Sequence, residues 1–500
     1  MACPYVQDHM DSRFRGNDRY VLAVRAAHAK RGLTNMPCHV RAAFVVVCLT
    51  FAIIPARAGE QTDQTPSPCV VEPTRFHGWD AQRMANRWVT LIFVPKLGGR
   101  LMQVSFGSHA YLFNNPLYLG QYFPPSQGAG EGKWFNYGGD KIWPLPEGAQ
   151  DEQHWIVGSD VLDDGIYQFR VLSTGKVCTI RMQGPPDEKT GLEYSREISI
   201  DADSPRIAFH AKMQNITGHR IRWSVQSVSQ YNTAAPGDAT NYNRDFWAFT
   251  PANPASVFNR RFDAHAGPID HPSYSVQDNN LFALHWSYLE GEVGVDSTAG
   301  WVTIVDGLSS FAMVERFHFF PGADYPERSS VIFYIDGPSL QLNSKGMPEV
   351  SRTKLEDAPY YMEAELSSPL VNLAPGESYA FDSEWFPTRM TPHLVDVTDA
   401  VVIGRELAAI PGGSGLRLTG FFGVFYSGHL LARLYDARGV AVKTLEITKA
   451  DPLEAVSLDT TIPAPPETDR VSLHLIDERG LDRGSLGEVK VAKGGGQKSD

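Results

Sequence analysis

The feature that narrows this chain most is alternation. From "WVTLIFVPKLGGRLMQVSF" onward, apolar and polar residues exchange places at every second position, with a turn at Gly98-Gly99. "YQFRVLSTGKVCTIRMQG", "GLEYSREISID" and "RIAFHAKMQNIT" repeat the pattern, and "WVTIVDG", "FAMVERFHFF" and "SSVIFYIDG" follow. A period of two puts successive side chains on opposite faces of a strand. No long amphipathic helix pattern interrupts it before residue 390. Strands without helices must cover one another, so residues 75–390 are expected to form two large antiparallel sheets packed face to face. Apolar residues at 42% and aromatics at 11% supply a core of that size.

The stretch from Tyr231 to Pro272 breaks the rhythm. Its aromatics, among them Tyr242, Phe246, Trp247, Phe249, Phe258 and Phe262, argue for an ordered functional loop. Beyond Thr391 the texture changes again. "GLRLTGFFGVF", "HLLARLYDARGVAVKTLEI", "AVSLDTTI" and "RVSLHLIDERG" predict a small Ig-like β-sandwich over 391–493, with 494–500 as a flexible tail.

At the other end, "MPCHVRAAFVVVCLTFAIIPARAGE" has the parts of a secretory signal over 36–58. His39 and Arg41 form a basic front, Ala42 to Ile54 an apolar centre, and Ala56-Arg57-Ala58 a cleavage site. The apolar run is too short for a membrane-spanning helix. Residues 1–35 read as a mis-called start with Met36 the true one, and 59–74 as a linker. The expected location is therefore periplasmic or secreted, after cleavage near Ala58. Losing residues 1–58 removes eight Lys/Arg and three Asp/Glu, which leaves 37 bases against 54 acids and a net charge of −17. Such a protein repels nucleic acid and anionic lipid. Cys69 and Cys178 remain after cleavage, and a single disulfide between them is possible in an oxidising compartment.

Several short motifs fail on inspection. "GAGEGKW" (Gly128 to Trp134) places Trp134 where a phosphate loop needs Ser or Thr. His265 and His271, near Asp263 and Asp270, match no common ligand spacing, so no metal and no cofactor are expected. "NYGGDKIWPLPE" is more informative. Gly138-Gly139 can present Asp140 and Lys141 at the head of a turn, which Pro144 and Pro146 stiffen. Trp134, Tyr137, Trp143 and Trp155 lie close by in sequence. Flat rings with a few charged groups suit sugar recognition, where rings stack on C–H faces and polar groups bind hydroxyls. A plug of core tryptophans beside a surface Asp–Lys pair would have the same composition.

The order of "PKLGGRLMQVSFG", "NYGGDKIWPLPE" and "YYMEAELSSPLVNLAPGESYAFDSEWFP" resembles the galactose mutarotase-like superfamily across 75–390, and within it the uncharacterised bacterial DUF4380 family. The resemblance implies an all-β supersandwich with a concave, carbohydrate-binding face, followed here by the small sandwich. "GGDKIWP" is similar to the glycine-glycine-x-x-x-x-proline turn that lines the sugar cleft of hexose-6-phosphate epimerases. Mutarotases use a Glu base on the anomeric hydroxyl and a His acid on the ring oxygen. Glu363 in "MEAE" matches the base position, with Glu365 where a Gln would stand; two acids on one strand face raise a pKa. The His position falls in "VQSVSQYNT", on Ser229, Gln230 or Tyr231. Gln transfers no proton and Tyr does so poorly near neutral pH.

Three readings follow. The first is a secreted carbohydrate-binding protein, with Asp140, Lys141, Trp143, Gln230, Arg316, Trp247 and Glu363 contacting the sugar. The second is an aldose epimerase or polysaccharide-active enzyme, with Glu363 as base and His154 (in "EQHWIVG") or Tyr231 as a relocated acid. The third is an envelope interaction protein whose cleft is vestigial. A base position without its matched acid favours the first.

Overall fold

The computed structural model describes residues 68–125, 134–148, 153–156, 161–342, 344–345, 347–413 and 415–491. The signal segment, the start at Met36, the glycine-rich loop ahead of Trp134 and the C-terminal tail lie outside these residues.

The alternation becomes burial directly. Leu192–Asp201 and Ile207–Asn215 are adjacent antiparallel strands that bury every second side chain. Pairing of this kind builds a ten-stranded sheet and, opposite it, a twelve-stranded one. Val104, Phe106, Trp223 and Val295 of the larger sheet share a core with Ile180, Ile198, Met213 and Trp385 of the smaller. The linker expected over 59–74 runs too far, because Val70–Phe76 is a strand paired along its whole length with Trp79–Ala85. Pro73 is tolerated there because that strand is the edge of its sheet.

Three neighbouring strands at the middle of the twelve-stranded sheet carry the heart of the site. Ile221–Asn232 pairs with Asp140–Leu145 on one side and Tyr361–Ser367 on the other. Beyond Tyr361–Ser367 come Val331–Ile335, Gly291–Val295 and Asp263–Ala266 in that order. Every residue of Tyr361–Ser367 is buried, although it contains Glu363 and Glu365. The irregular stretch after Tyr231 is ordered: it forms short strands at Asp238–Tyr242, Phe246–Pro251 and Asp263–Ala266.

The C-terminal residues fold as two four-stranded sheets around Leu418, Leu430, Leu434, Leu473 and Leu475. A further cluster joins them to the ten-stranded sheet: Phe249, Trp301 and Phe386 pack with Met390, Val402 and Phe425.

Candidate functional site

The two glycines of "NYGGDK" fix how the next residues point. Gly138 and Gly139 have φ of +91° and +80°, and a Cβ on Gly138 would lie 2.2 Å from the Phe113 carbonyl oxygen. Only glycine fits that turn. The strand begins immediately after it, so Asp140 and Lys141 sit on opposite faces. Asp140 points toward the ten-stranded sheet, where it accepts a hydrogen bond from the buried Arg196 guanidinium. Lys141 points away from it.

On that outer face Lys141 Nζ donates to Glu363 Oε1 at 3.2 Å and lies 4.2 Å from the centre of the Trp143 ring. Gln230, directly opposite Glu363 in the ladder, donates Nε2 to the same oxygen at 2.6 Å. One step along the face, Gln226 Nε2 donates to Glu365 Oε2. Each glutamine thus turns its amide nitrogen to a carboxylate and leaves its Oε1 buried without a hydrogen-bond partner. Tyr334 faces Glu363 across the next strand pair, and Glu292 faces Tyr334 beyond it. Tyr334 remains partly exposed.

The far end of the face holds a second group. Asp263–Ala266 bulges between Ala264 and Ala266, and a bulge re-aims the side chain it carries, here His265. His265 Nδ1 lies 2.7 Å from Glu327 Oε2 and 3.3 Å from Glu292 Oε1. Gly294 makes room for it, since a Cβ there would lie 2.4 Å from His265 Nε2 and 2.2 Å from Ser329 Oγ. Glu327 and Arg328 both hold left-handed backbone, with φ of 52° and 58°. Two consecutive non-glycine residues in that region are a strained arrangement of the sort found at ligand-binding segments.

Electrostatics tie the two groups together. Burial, then the charges of Glu363, Glu292 and Glu147, hold the Glu365 carboxyl well above its ordinary range. Burial also pushes the Lys141 ammonium down, against the opposing pull of Glu363. For His265 burial alone would favour the neutral ring, but hydrogen bonds to Glu292 and Glu327 outweigh it and push the imidazolium up to about 10. Glu147 adds a carboxylate whose pKa is raised by desolvation and by Glu292, Glu327 and Glu363. That side chain is open to solvent, and water screens part of the effect.

The sequence candidates divide accordingly. Lys141, Gln230 and Glu363 come together. Trp143 is their support: its ring is buried beneath Lys141 and against Trp155, and its indole nitrogen donates to Asp163 Oδ1 at 2.7 Å. It offers no open face for stacking, so its assignment as a sugar contact is corrected. Four further corrections follow from strand parity and sheet membership. Asp140 is consumed by Arg196 between the sheets. Tyr231 points the same way and donates to buried Glu315, which leaves it unable to serve as an acid on the outer face. Arg316 belongs to the ten-stranded sheet and pairs with Asp399 at 2.5 Å. Trp247 is in that sheet too, stacked on His285 at 4.0 Å. His154 does not join Glu363 either; it lines a cavity of about 490 Å³ with His219, Arg220, Arg222 and Asn372. Cys69 and Cys178 form a disulfide, with Cα atoms 5.9 Å apart.

Sequence reasoning missed Gln226, Glu292, Glu327 and Tyr334, and set His265 aside because it was compared with sequence neighbours rather than cross-strand ones. The available signal was an acid inside an otherwise apolar strand, as in "GEVGV" and "MEAELS". Such acids are seldom buried without a purpose.

No protein-family model matches the sequence, and no curated protein does. Solved structures similar to it include a galactose mutarotase-like protein from Clostridium acetobutylicum, 9% identical, covering 64% of this chain and 99% of that one at a TM-score of 0.40. Another is a galactose mutarotase related enzyme from Lactobacillus acidophilus, 10% identical, covering 62% and 98% at 0.37. A third is a galactose mutarotase-like protein from Lactobacillus casei, 11% identical, covering 61% and 99% at 0.38. At these scores the likeness decides neither the family nor the chemistry, and the site is read from its own residues.

Proposed function

We propose that the outer face of the twelve-stranded sheet binds a carbohydrate, in an exported protein distantly related to the mutarotase-like superfamily and its DUF4380 branch. The observation that carries this reading is the repeated Gln–Glu pair. Gln230 with Glu363 and Gln226 with Glu365 each leave one amide oxygen buried and unbonded. A buried acceptor without a donor is costly, and an adjacent hydroxyl or water relieves it. A polyhydroxylated ligand supplies hydroxyls at the spacing of neighbouring side chains, and Tyr334 supplies a partly exposed ring for its C–H face. The excess of acids argues against phosphorylated sugars, which they would repel. The Cys69–Cys178 disulfide is in keeping with an oxidising compartment.

One observation favours the catalytic alternative as well. Glu365 is held toward its protonated form two residues from Glu363, which Lys141 and Gln230 hold as an acceptor. Such a pair can take a proton from an anomeric hydroxyl at Glu363 and return one to the ring oxygen from Glu365. This arrangement would replace the missing histidine.

A thermal-shift screen against neutral mono- and oligosaccharides tests both. Binding is expected, and Tyr334→Ala should weaken it by about 1–3 kcal/mol. Any ligand found is then followed by NMR for anomeric exchange. Exchange lost in Glu365→Gln supports the enzyme, and binding without exchange supports the binding protein. If no neutral sugar shifts the melting temperature, the carbohydrate reading falls and the interaction protein takes its place.

A further inference from the structure

We propose that His265, Glu292 and Glu327 bind one divalent cation of the borderline class, for which Zn²⁺ is the probe. The inference does not depend on the sugar reading. Three donor atoms, one imidazole nitrogen and two carboxylate oxygens, lie within 4.8 Å of one another. They come from three separate elements: a strand bulge, the Gly291–Val295 strand and the Pro326–Arg328 turn. A single ion at their centre would draw all three in by short movements of side chains alone.

The donor set selects the metal. Mg²⁺ and Ca²⁺ prefer all-oxygen shells, and sites for soft ions are built from thiolates. One imidazole, which gives up its proton as the ion binds, with two carboxylates suits Zn²⁺ and its first-row neighbours. Three protein ligands leave a fourth position open, the pattern of sites that also hold water or a ligand group.

Independent features of the backbone support a built site. Gly294 provides a hollow that no other residue could leave, because any Cβ would fall on His265 and Ser329. Glu327 is presented from left-handed backbone that the chain would otherwise avoid. Neither feature is needed to place a histidine and two glutamates on a surface.

Charge points the same way. Glu147, Glu292, Glu327, Glu363 and Glu365 lie close enough to interact electrostatically, with Lys141 and His265 among the cations beside them. Glu147 is open to solvent and Glu365 is held toward its protonated form, so the charge on this face is chiefly that of Glu292, Glu327 and Glu363 against Lys141 and His265. A dication that displaces the His265 proton adds one positive charge beside Glu292 and Glu327.

The test titrates Zn²⁺ into protein stripped with EDTA, followed by calorimetry and melting temperature, with Ca²⁺ and Mg²⁺ in parallel. One Zn²⁺ per chain is expected to bind and raise the melting temperature, with little response to the other two ions. His265→Ala and Glu327→Gln should each lower the affinity at least about 10-fold. His210→Ala removes an exposed histidine paired with Asp382 and should leave the titration unchanged. Glu327→Gln keeps the shape of the side chain, so it serves if His265→Ala does not fold. A titration indifferent to both site variants would overturn the proposal. So would variants that lose stability in EDTA while zinc leaves the wild-type melting temperature unmoved: the three residues would then be an ion-pair cluster and nothing more.

Discussion

Glu315 shows what a single buried acid does to this molecule. It lies between the sheets, fully covered, and accepts the Tyr231 hydroxyl. Burial, reinforced by the charge of Asp140, pushes its carboxyl up to about 8 from an ordinary 4.5. The native state therefore holds a proton that the unfolded chain releases near pH 4.5. Between these two values the folded form binds more protons, so stability falls as pH rises through the window. Glu315→Gln removes the titration and keeps an acceptor for Tyr231. Urea denaturation should find the variant more stable than the wild type at pH 8, on the order of 1–3 kcal/mol, and little different at pH 5. At this scale the sequence was only partly legible. Glu363 and Lys141 could be picked out by motif, but motif could not say which neighbours faced them. Asp140 and Tyr231 were misassigned because a shift of one residue along a strand reverses the face.

Strands and turns were easier to read than side-chain partners. The period of two is strong over most of the chain, and the turn at Gly138-Gly139 stands where its glycines put it. What sequence could not supply was the strand order. Gly291–Val295, Val331–Ile335 and Tyr361–Ser367 are far apart in the chain but adjacent in the sheet. Glu292, Tyr334 and Glu363 meet only through that order. The His265 bulge was hidden for a similar reason, because an extra residue in an antiparallel pair leaves no signature without its partner strand. The turn can be tested on its own. Gly138→Ala forces a Cβ toward the Phe113 carbonyl at 2.2 Å in a left-handed conformation. A loss on the order of 1–3 kcal/mol is expected by denaturant titration. An unchanged midpoint would mean that this turn does not hold Lys141 in place.

The described residues are held by a covalent link near their start and by a shared core toward their end. Cys69, just ahead of the first strand of the twelve-stranded sheet, is bonded to Cys178 in the ten-stranded one, across 109 residues of sequence. Replacing both with serine should cost about 2–5 kcal/mol, read as a lower urea midpoint. The fold class was legible at this scale because composition and period agree everywhere. The join between the large sheets and the C-terminal sandwich was not, since apolar residues in Phe386 to Phe425 look the same whether they face their own sheet or another.

That join bears on how the protein can be handled. Phe386, Met390, Val402 and Phe425 are each almost wholly covered, in one cluster with Phe249 and Trp301 of the ten-stranded sheet. Thr388 Oγ1 donates to the Val424 carbonyl, and Asn279 Nδ2 to the Leu394 carbonyl. The last hundred or so residues are thus a buttress and not a detachable tag, although their size is that of an ordinary sandwich module. Cut after Arg389, the chain would bare Phe386 and Trp301 to water. The product would be an adhesive fragment, not a smaller working protein.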